Sequence, residues 1–266
     1  MPTVRLTEIP AEILALIETR AGPVIKTENL KAGLNSEIAA RIYTPEATVF
    51  VKGLREGHRR VWTQAREADV NPHVRGIAPA LLWRIQAAGW DLLGFEDVSG
   101  SHADYAPGSP DLPLVADAMS RLSAIQAPDI TLRTMPDRMK EHTATPELFA
   151  GDTLCHTDWF PTNVLITGRS AVLVDWAWTS RGAAWIDPAS WVVWLIDSGH
   201  TPAQAEQWAA RIPAWNAAPA ACIDTFARAT VSVWEEIADG QTEPWVLAML
   251  DAARTWSAYR FPAPRW

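Results

Sequence analysis

The sequence predicts an α+β chain of two lobes, a small strand-rich lobe over 1–98 and a larger helical lobe over 99–266. Three observations carry this reading. The first 97 residues hold short apolar runs broken by turn residues. The stretch Ser99-Gly100-Ser101-His102-Ala103-Asp104-Tyr105-Ala106-Pro107-Gly108-Ser109-Pro110 has the composition of a linker. From Asp111 onward the apolar spacing is mostly helical, interrupted by one strand-like pair.

Taken in order, Ile9 to Arg20 has helical periodicity, with Ile13, Leu14 and Ile17 on one face. Val24-Ile25, Glu37 to Tyr43 and Thr48-Val49-Phe50-Val51-Lys52 read as strands. The turns Lys31-Ala32-Gly33-Leu34-Asn35 and Thr44-Pro45-Glu46 separate them. A helix over 57–70 follows, stopped by Asn71-Pro72. Two more strands are expected at Ala80 to Ala87 and Trp90 to Val98. In the second lobe Leu114, Val115, Ala118, Met119, Leu122 and Ile125 mark a helix ending at Ala127-Pro128. Val164-Leu165-Ile166 and Ala171-Val172-Leu173-Val174, joined by Thr167-Gly168-Arg169-Ser170, form a predicted β-hairpin. Pro188 to Ile196 and most of 202–258 carry apolar helix faces.

The composition narrows the function classes. An apolar fraction of 48% and a charged fraction of 20% are ordinary for a globular protein. No apolar run approaches the ~18 residues of a membrane span. Met1 to Pro10 carries Arg5 and Glu8 and lacks a secretory hydrophobic region. Cys155 and Cys222 lie far apart in sequence, and Cys155, among apolar neighbours, is expected to be a reduced, buried thiol rather than part of a disulfide or metal site, which fits the cytoplasm. A net charge of −8 with no basic cluster argues against nucleic acid as a partner. It leans toward a cationic or neutral substrate, with a solvated acidic surface as the plainer explanation. Of the 15 tryptophans, 12 lie from Trp159 onward and are expected mainly in the core. Trp159, Trp176 and Trp178 flank the polar groups described next and are candidates to wall a pocket.

The most informative stretch is His156-Thr157-Asp158-Trp159-Phe160-Pro161-Thr162-Asn163, followed by Val172-Leu173-Val174-Asp175-Trp176. An Asp, an Asn five residues later and a second Asp closing a strand supply the parts of a phosphoryl-transfer site. Asp158 can accept a proton from a substrate hydroxyl. The Asn163 amide oxygen and the Asp175 carboxylate can hold Mg²⁺ against a nucleotide's phosphates. The hairpin is expected to bring Asn163 and Asp175 to the same end. The pattern is H-x-D-x-x-x-x-N with its metal Asp, although Asp175-Trp176-Ala177 stands where protein kinases have Asp-Phe-Gly.

This arrangement resembles the aminoglycoside phosphotransferase and choline kinase-like family, a branch of the protein-kinase-like fold. The resemblance covers nearly the whole chain and is strongest over His156 to Asp187. It implies a scaffold role for His156, base and orienting roles for Asp158, and metal ligation by Asn163 and Asp175. Lys52 closes an apolar strand as the phosphate-binding lysine does in kinases, in a chain with 4 lysines against 19 arginines. Glu67 on the following helix is its expected partner, preferred to Glu56, which precedes the established helix. Gly33 and Ser36 would match the family's short nucleotide loop, an ordinary hairpin turn being the competing reading. Phe95-Glu96-Asp97-Val98 would be the hinge that meets the purine through backbone groups of Glu96 and Val98. Backbone recognition does not separate ATP from GTP. Asp187 matches a family Asp at a helix start and is read as bracing the loop or capping the helix.

The resemblance implies an ATP- and Mg²⁺-dependent O-phosphotransferase acting on a small hydroxylated compound. The expected acceptor is an antibiotic, an aminoglycoside or a tuberactinomycin-like peptide, with resistance as the consequence. A metabolite or nucleoside kinase keeps the chemistry and changes the acceptor. A binding module without catalysis is the alternative from another class, and the presence of Lys52, Asp158, Asn163 and Asp175 argues against it.

Overall fold

The computed structural model describes residues 4–30, 36–241 and 243–261. It divides into two compact units, one of residues up to Gly100 with Val174–Ala177, the other of Ser101–Leu173 with Trp178 onward. Among the described residues, no helix is long and apolar enough to cross a membrane.

The first unit opens with helix α1 (Ala11–Ala21), then strands β1 (Lys26–Asn29), β2 (Ile38–Tyr43) and β3 (Thr48–Arg55). Helix α2 (Trp62–Val70) and strands β4 (Leu81–Ala87) and β5 (Trp90–Glu96) complete it. The sheet order is β1-β2-β3-β5-β4, with all neighbours antiparallel. Side chains alternate across a strand, so β3 sends Val49 and Val51 to one face and Lys52 to the other. Val49 and Val51 join Ile13 and Ile17 of α1, Ile38 and Ile42 of β2, and Trp83 and Leu92 in one buried core. Each such side chain contributes about 1.5–3 kcal/mol when fully buried, so the sheet face opposite Lys52 is firmly anchored.

The second unit contains β6 (Ser101–His102), α3 (Leu112–Leu122), β7 (Arg133–Thr134), α4 (Met135–Met139) and β8 (Thr153–Cys155). The hairpin β9 (Val164–Thr167) and β10 (Ser170–Leu173) follows, then β11 (Ser180–Gly182). The remaining helices are α5 (Ile186–Asp197), α6 (Pro202–Ala209), α7 (Pro213–Asn216), α8 (Ala220–Ala238) and α9 (Pro244–Arg260). Helix α5 is buried over most of its length and touches α6, α7, α8 and α9. Trp176, Trp191 and Trp256 are among the largest fully buried side chains, so the tryptophan excess mainly fills core.

Several expected boundaries shift. The first strand is Lys26–Asn29 rather than Val24-Ile25, because pairing with β2 selects the register and leaves Ile25 69% exposed. Helix α2 begins at Trp62, residues 57–61 being taken up by turns. Helix α3 ends at Leu122, before the expected stop at Ala127-Pro128. The stretch with linker composition is built into the second unit from Ser101, where β6 pairs with β9. The turn Lys31 to Asn35, including Gly33, lies outside the described residues.

Candidate active site

In the first unit three charged side chains meet. Strand β3 carries Lys52 between Ala39 of β2 and Leu93 of β5. Its Nζ lies 2.7 Å from Oε2 of Glu67, three residues before the end of α2, and 3.1 Å from Oδ1 of Asp175. The other Glu67 oxygen accepts a hydrogen bond from the Trp176 amide at 3.4 Å. The Lys52 and Glu67 side chains are 8% and 4% exposed, that of Asp175 25%. Burial alone would lower the Lys52 ammonium, but the carboxylates of Asp175 and Glu67 outweigh it and hold it above its ordinary value. Burial pushes Glu67 up, against the pull of Lys52. Asp175 has φ of +63°, a left-handed conformation seldom taken by residues other than glycine.

Ser36, Glu96 and Val98 stand outside this ion-pair cluster. Ser36 is buried just before β2, where the Glu37 amide bonds to the Gly53 carbonyl. Glu96 closes β5, with its amide on the Ala80 carbonyl and its carboxylate accepting from the Ala80 amide. The Asp97 amide donates to Thr48, and the chain has left the sheet by Val98.

In the second unit the segment between β8 and β9 holds His156, Asp158 and Asn163. Asp187, in the first turn of α5, fastens it. One carboxylate oxygen accepts from the His156 amide at 2.9 Å, and the other from the Thr157 amide and the Trp159 indole, both at 2.8 Å. Burial raises the Asp187 carboxyl, and these donors pull it back down. His156 is 2% exposed and its Nδ1 accepts from the Asp158 amide at 3.3 Å, so the imidazole stiffens the loop. The Asn163 side-chain amide donates to the Asp158 carbonyl at 3.3 Å, which leaves its Oδ1 as the atom for a ligand. The hairpin register pairs Val164 with Leu173, so its two arms begin and end together, with Asn163 just before it and Asp175 two residues after.

One amide oxygen and one carboxylate are hard-oxygen donors of the kind Mg²⁺ takes while keeping sites for phosphates. Among the described residues no group of three His, Cys, Asp or Glu side chains forms a self-sufficient cation cage. Asn163 and Asp175 each offer one oxygen of this kind.

Sequence reasoning passed over Arg138, whose guanidinium reaches Thr157, Trp178 and Ser180. Nothing in the spacing of α4 advertises it, because the contact spans 19 to 42 residues. Asp187, read from the sequence as bracing the loop, accepts from three donors of that loop.

No protein-family model matches the chain, and no curated protein matches it in sequence. Solved structures do match in fold. Choline kinase LicA from Streptococcus pneumoniae superposes with a TM-score of 0.66 at 14% identity, covering 94% of this chain and 98% of that one. Aminoglycoside phosphotransferase APH(4)-Ia gives 0.61 at 15% identity, covering 92% and 98%. A ternary complex of a thermostable APH(4)-Ia mutant with AMP-PNP and hygromycin B gives 0.63 at 14% identity, covering 92% and 99%. The chain has the protein-kinase-like α+β fold of these structures.

Proposed function

We propose that this protein is a small-molecule kinase that moves the γ-phosphoryl group of ATP to a hydroxyl of its acceptor. The observation that carries the reading is the Lys52–Glu67–Asp175 cluster. A buried ion pair adds little net stability, since desolvation offsets its Coulomb energy. A non-glycine residue in a left-handed conformation costs more still. Features of that kind gather where chemistry needs them. A compact ammonium fixed by a carboxylate is suited to neutralising α- and β-phosphates. The solved neighbours described as phosphotransferases, and the AMP-PNP in one of them, point the same way.

In this reading Lys52 binds phosphate oxygens and Glu67 orients it. Ser36 lines the phosphate loop, and the backbone at Glu96 and Val98 meets the purine. Asp158 orients the acceptor hydroxyl and takes its proton late in transfer. Asn163 and Asp175 would hold Mg²⁺, which supplies charge neutralisation at the β- and γ-phosphates. Backbone contacts to the purine leave GTP as a possible donor alongside ATP. The reaction belongs in the cytoplasm, where both nucleotides are, and Cys155 and Cys222 are free thiols.

For the acceptor we infer a hydroxylated antibiotic, an aminoglycoside or tuberactinomycin-like compound, with resistance as the outcome. Hygromycin B in a neighbour of the same fold and the net charge of −8 support a cationic acceptor. The similarity to choline kinase LicA favours a second reading, a kinase for a cationic metabolite.

The test is acceptor-dependent ADP release with Mg·ATP or Mg·GTP across aminoglycosides, tuberactinomycins, nucleosides and choline, with mass spectrometry for an added phosphoryl group. Replacing Asp158 by Asn is expected to lower turnover by about 10²–10⁴-fold while nucleotide binding persists. Undiminished turnover in that variant would remove Asp158 as the base. Failure of the wild-type protein to bind either nucleotide would overturn the reading of Lys52.

A further inference from the structure

Asp158 is preceded by Thr157, which has φ of +67°. A β-branched residue in the left-handed region is an outlier that only strong surrounding contacts sustain. Three such contacts are present. The Thr157 amide donates to Asp187 at 2.8 Å, and its hydroxyl donates to the Trp178 carbonyl at 2.8 Å. The third comes from α4. Nη1 of Arg138 donates to Thr157 Oγ1, and at 2.9 Å to both the Trp178 carbonyl and Ser180 Oγ. The guanidinium also lies 6.0 Å from the centre of the Trp178 ring.

Among the described residues, Arg138 makes no ion pair within 4.0 Å. Its hydrogen-bond partners in these contacts are neutral oxygens. Burial pushes the guanidinium down to about 10 and Arg133 pushes the same way, while Asp158, Cys155 and Asp187 pull it up. A side chain used only to fill this space would be less costly without the charge. All three contacts are made by Nη1, whose two N–H bonds serve them with one shared between two oxygens, and what arginine offers is a rigid planar group that holds this nitrogen in one orientation.

We propose that Arg138 is a positioning residue, whose guanidinium locks Thr157 in its left-handed conformation and thereby sets the direction in which Asp158 presents its carboxylate. The proposal rests on the reading of Asp158 as the base. It assigns Arg138 no contact with nucleotide or acceptor. Lysine at this position would keep the positive charge but lose the planar group that fixes Nη1, so charge and geometry separate.

The experiment compares wild type, Arg138→Met and Arg138→Lys in the full chain. Amide hydrogen exchange over 154–162 reads the lock directly and needs no catalysis. Steady-state kinetics reads its consequence. In Arg138→Met the His156 and Thr157 amides should exchange at least about 10-fold faster, since both rest on the same braced segment. Turnover should fall about 10²-fold with the KM for ATP unchanged, as a misplaced reacting group costs rate rather than nucleotide affinity. Arg138→Lys should fold normally and show the same kcat-only defect. Unchanged exchange at Thr157 in Arg138→Met would overturn the lock. Loosened amides with undiminished kcat would overturn the positioning role. If the amides loosen but the wild type transfers phosphate to no acceptor, the lock stands and the kinase reading falls.

Discussion

Replacing Lys52 by Met tests the cluster in the first unit most directly. The change deletes an ammonium 2.7 Å from Glu67 and 3.1 Å from Asp175. The two survivors fare differently. Asp175, with 25% of its side chain exposed, can recruit water, whereas Glu67 at 4% cannot. Removing one partner of a buried pair costs about 3–5 kcal/mol, because an uncompensated charge is left behind. Here the lower end is expected. Burial already raises the Glu67 carboxyl, so it can take up a proton and shed the charge, and its bond from the Trp176 amide persists. The expected loss is therefore about 3 kcal/mol. Replacing both charges, Lys52→Met with Glu67→Leu, should restore most of it, since a buried pair is near neutral against apolar groups. Urea unfolding of the wild type, both single variants and the double variant closes a thermodynamic cycle, with an expected coupling of about 2 kcal/mol. Phosphoryl transfer, assayed on the same proteins, should be lost in all three variants. A Lys52→Met protein within about 0.5 kcal/mol of wild type would show that Glu67 does not depend on Lys52. Turnover regained in the double variant would reduce the pair to a structural contact.

Asp175 and Asp187 each give a further prediction. Asp175→Asn should keep stability within about 1 kcal/mol, because Asn tolerates the left-handed conformation, yet weaken Mg²⁺-dependent nucleotide binding; titration with nucleotide in the presence and absence of EDTA checks this, and unchanged Mg²⁺ dependence would remove Asp175 as a ligand. Asp187 predicts a pH signature: burial raises its carboxyl above the ordinary 3.8, so between that value and the raised one the folded state holds more protons than the unfolded chain. Its contribution is thus greatest below the ordinary value and declines as pH rises through the window, so urea midpoints from pH 3.5 upward should show wild type losing ground relative to Asp187→Asn, and a constant difference would contradict the shift.

The fold and the candidate site were readable in the sequence to different degrees for physical reasons. Lys52 stood out as the lysine closing the apolar strand Thr48 to Val51, and the helix after it supplied Glu67; the structure brings the two into contact. Period and turn chemistry act over a few residues, so the hairpin through Gly168 was visible in the sequence and is present, with Val164 paired to Leu173. Where tertiary pairing decides, pattern fails. Lys26–Asn29 has little apolar character and becomes a strand because β2 offers it an edge. Arg138 illustrates the limit most plainly, since its value lies in reaching Ser180, 42 residues away, and no local period encodes that.

Among the described residues, three non-glycine residues have positive φ: Ala88, Thr157 and Asp175. Ala88 precedes Gly89 in the tight turn between β4 and β5, where hairpin geometry itself asks for positive φ. No such turn accounts for the other two. Thr157 directly precedes the proposed base, and Asp175 is the proposed metal ligand. Each costs on the order of 1–2 kcal/mol relative to glycine in the same conformation. Each is held by charged side chains withdrawn from water, Asp187 and Arg138 for the first, Lys52 for the second. Glycine would relieve both strains, but at 157 it would lose the hydroxyl that meets Trp178, and at 175 the carboxylate that meets Lys52. Stability alone therefore does not explain these side chains. Strain and buried charge fall on the same two short segments, and these carry the proposed base and the proposed metal ligand.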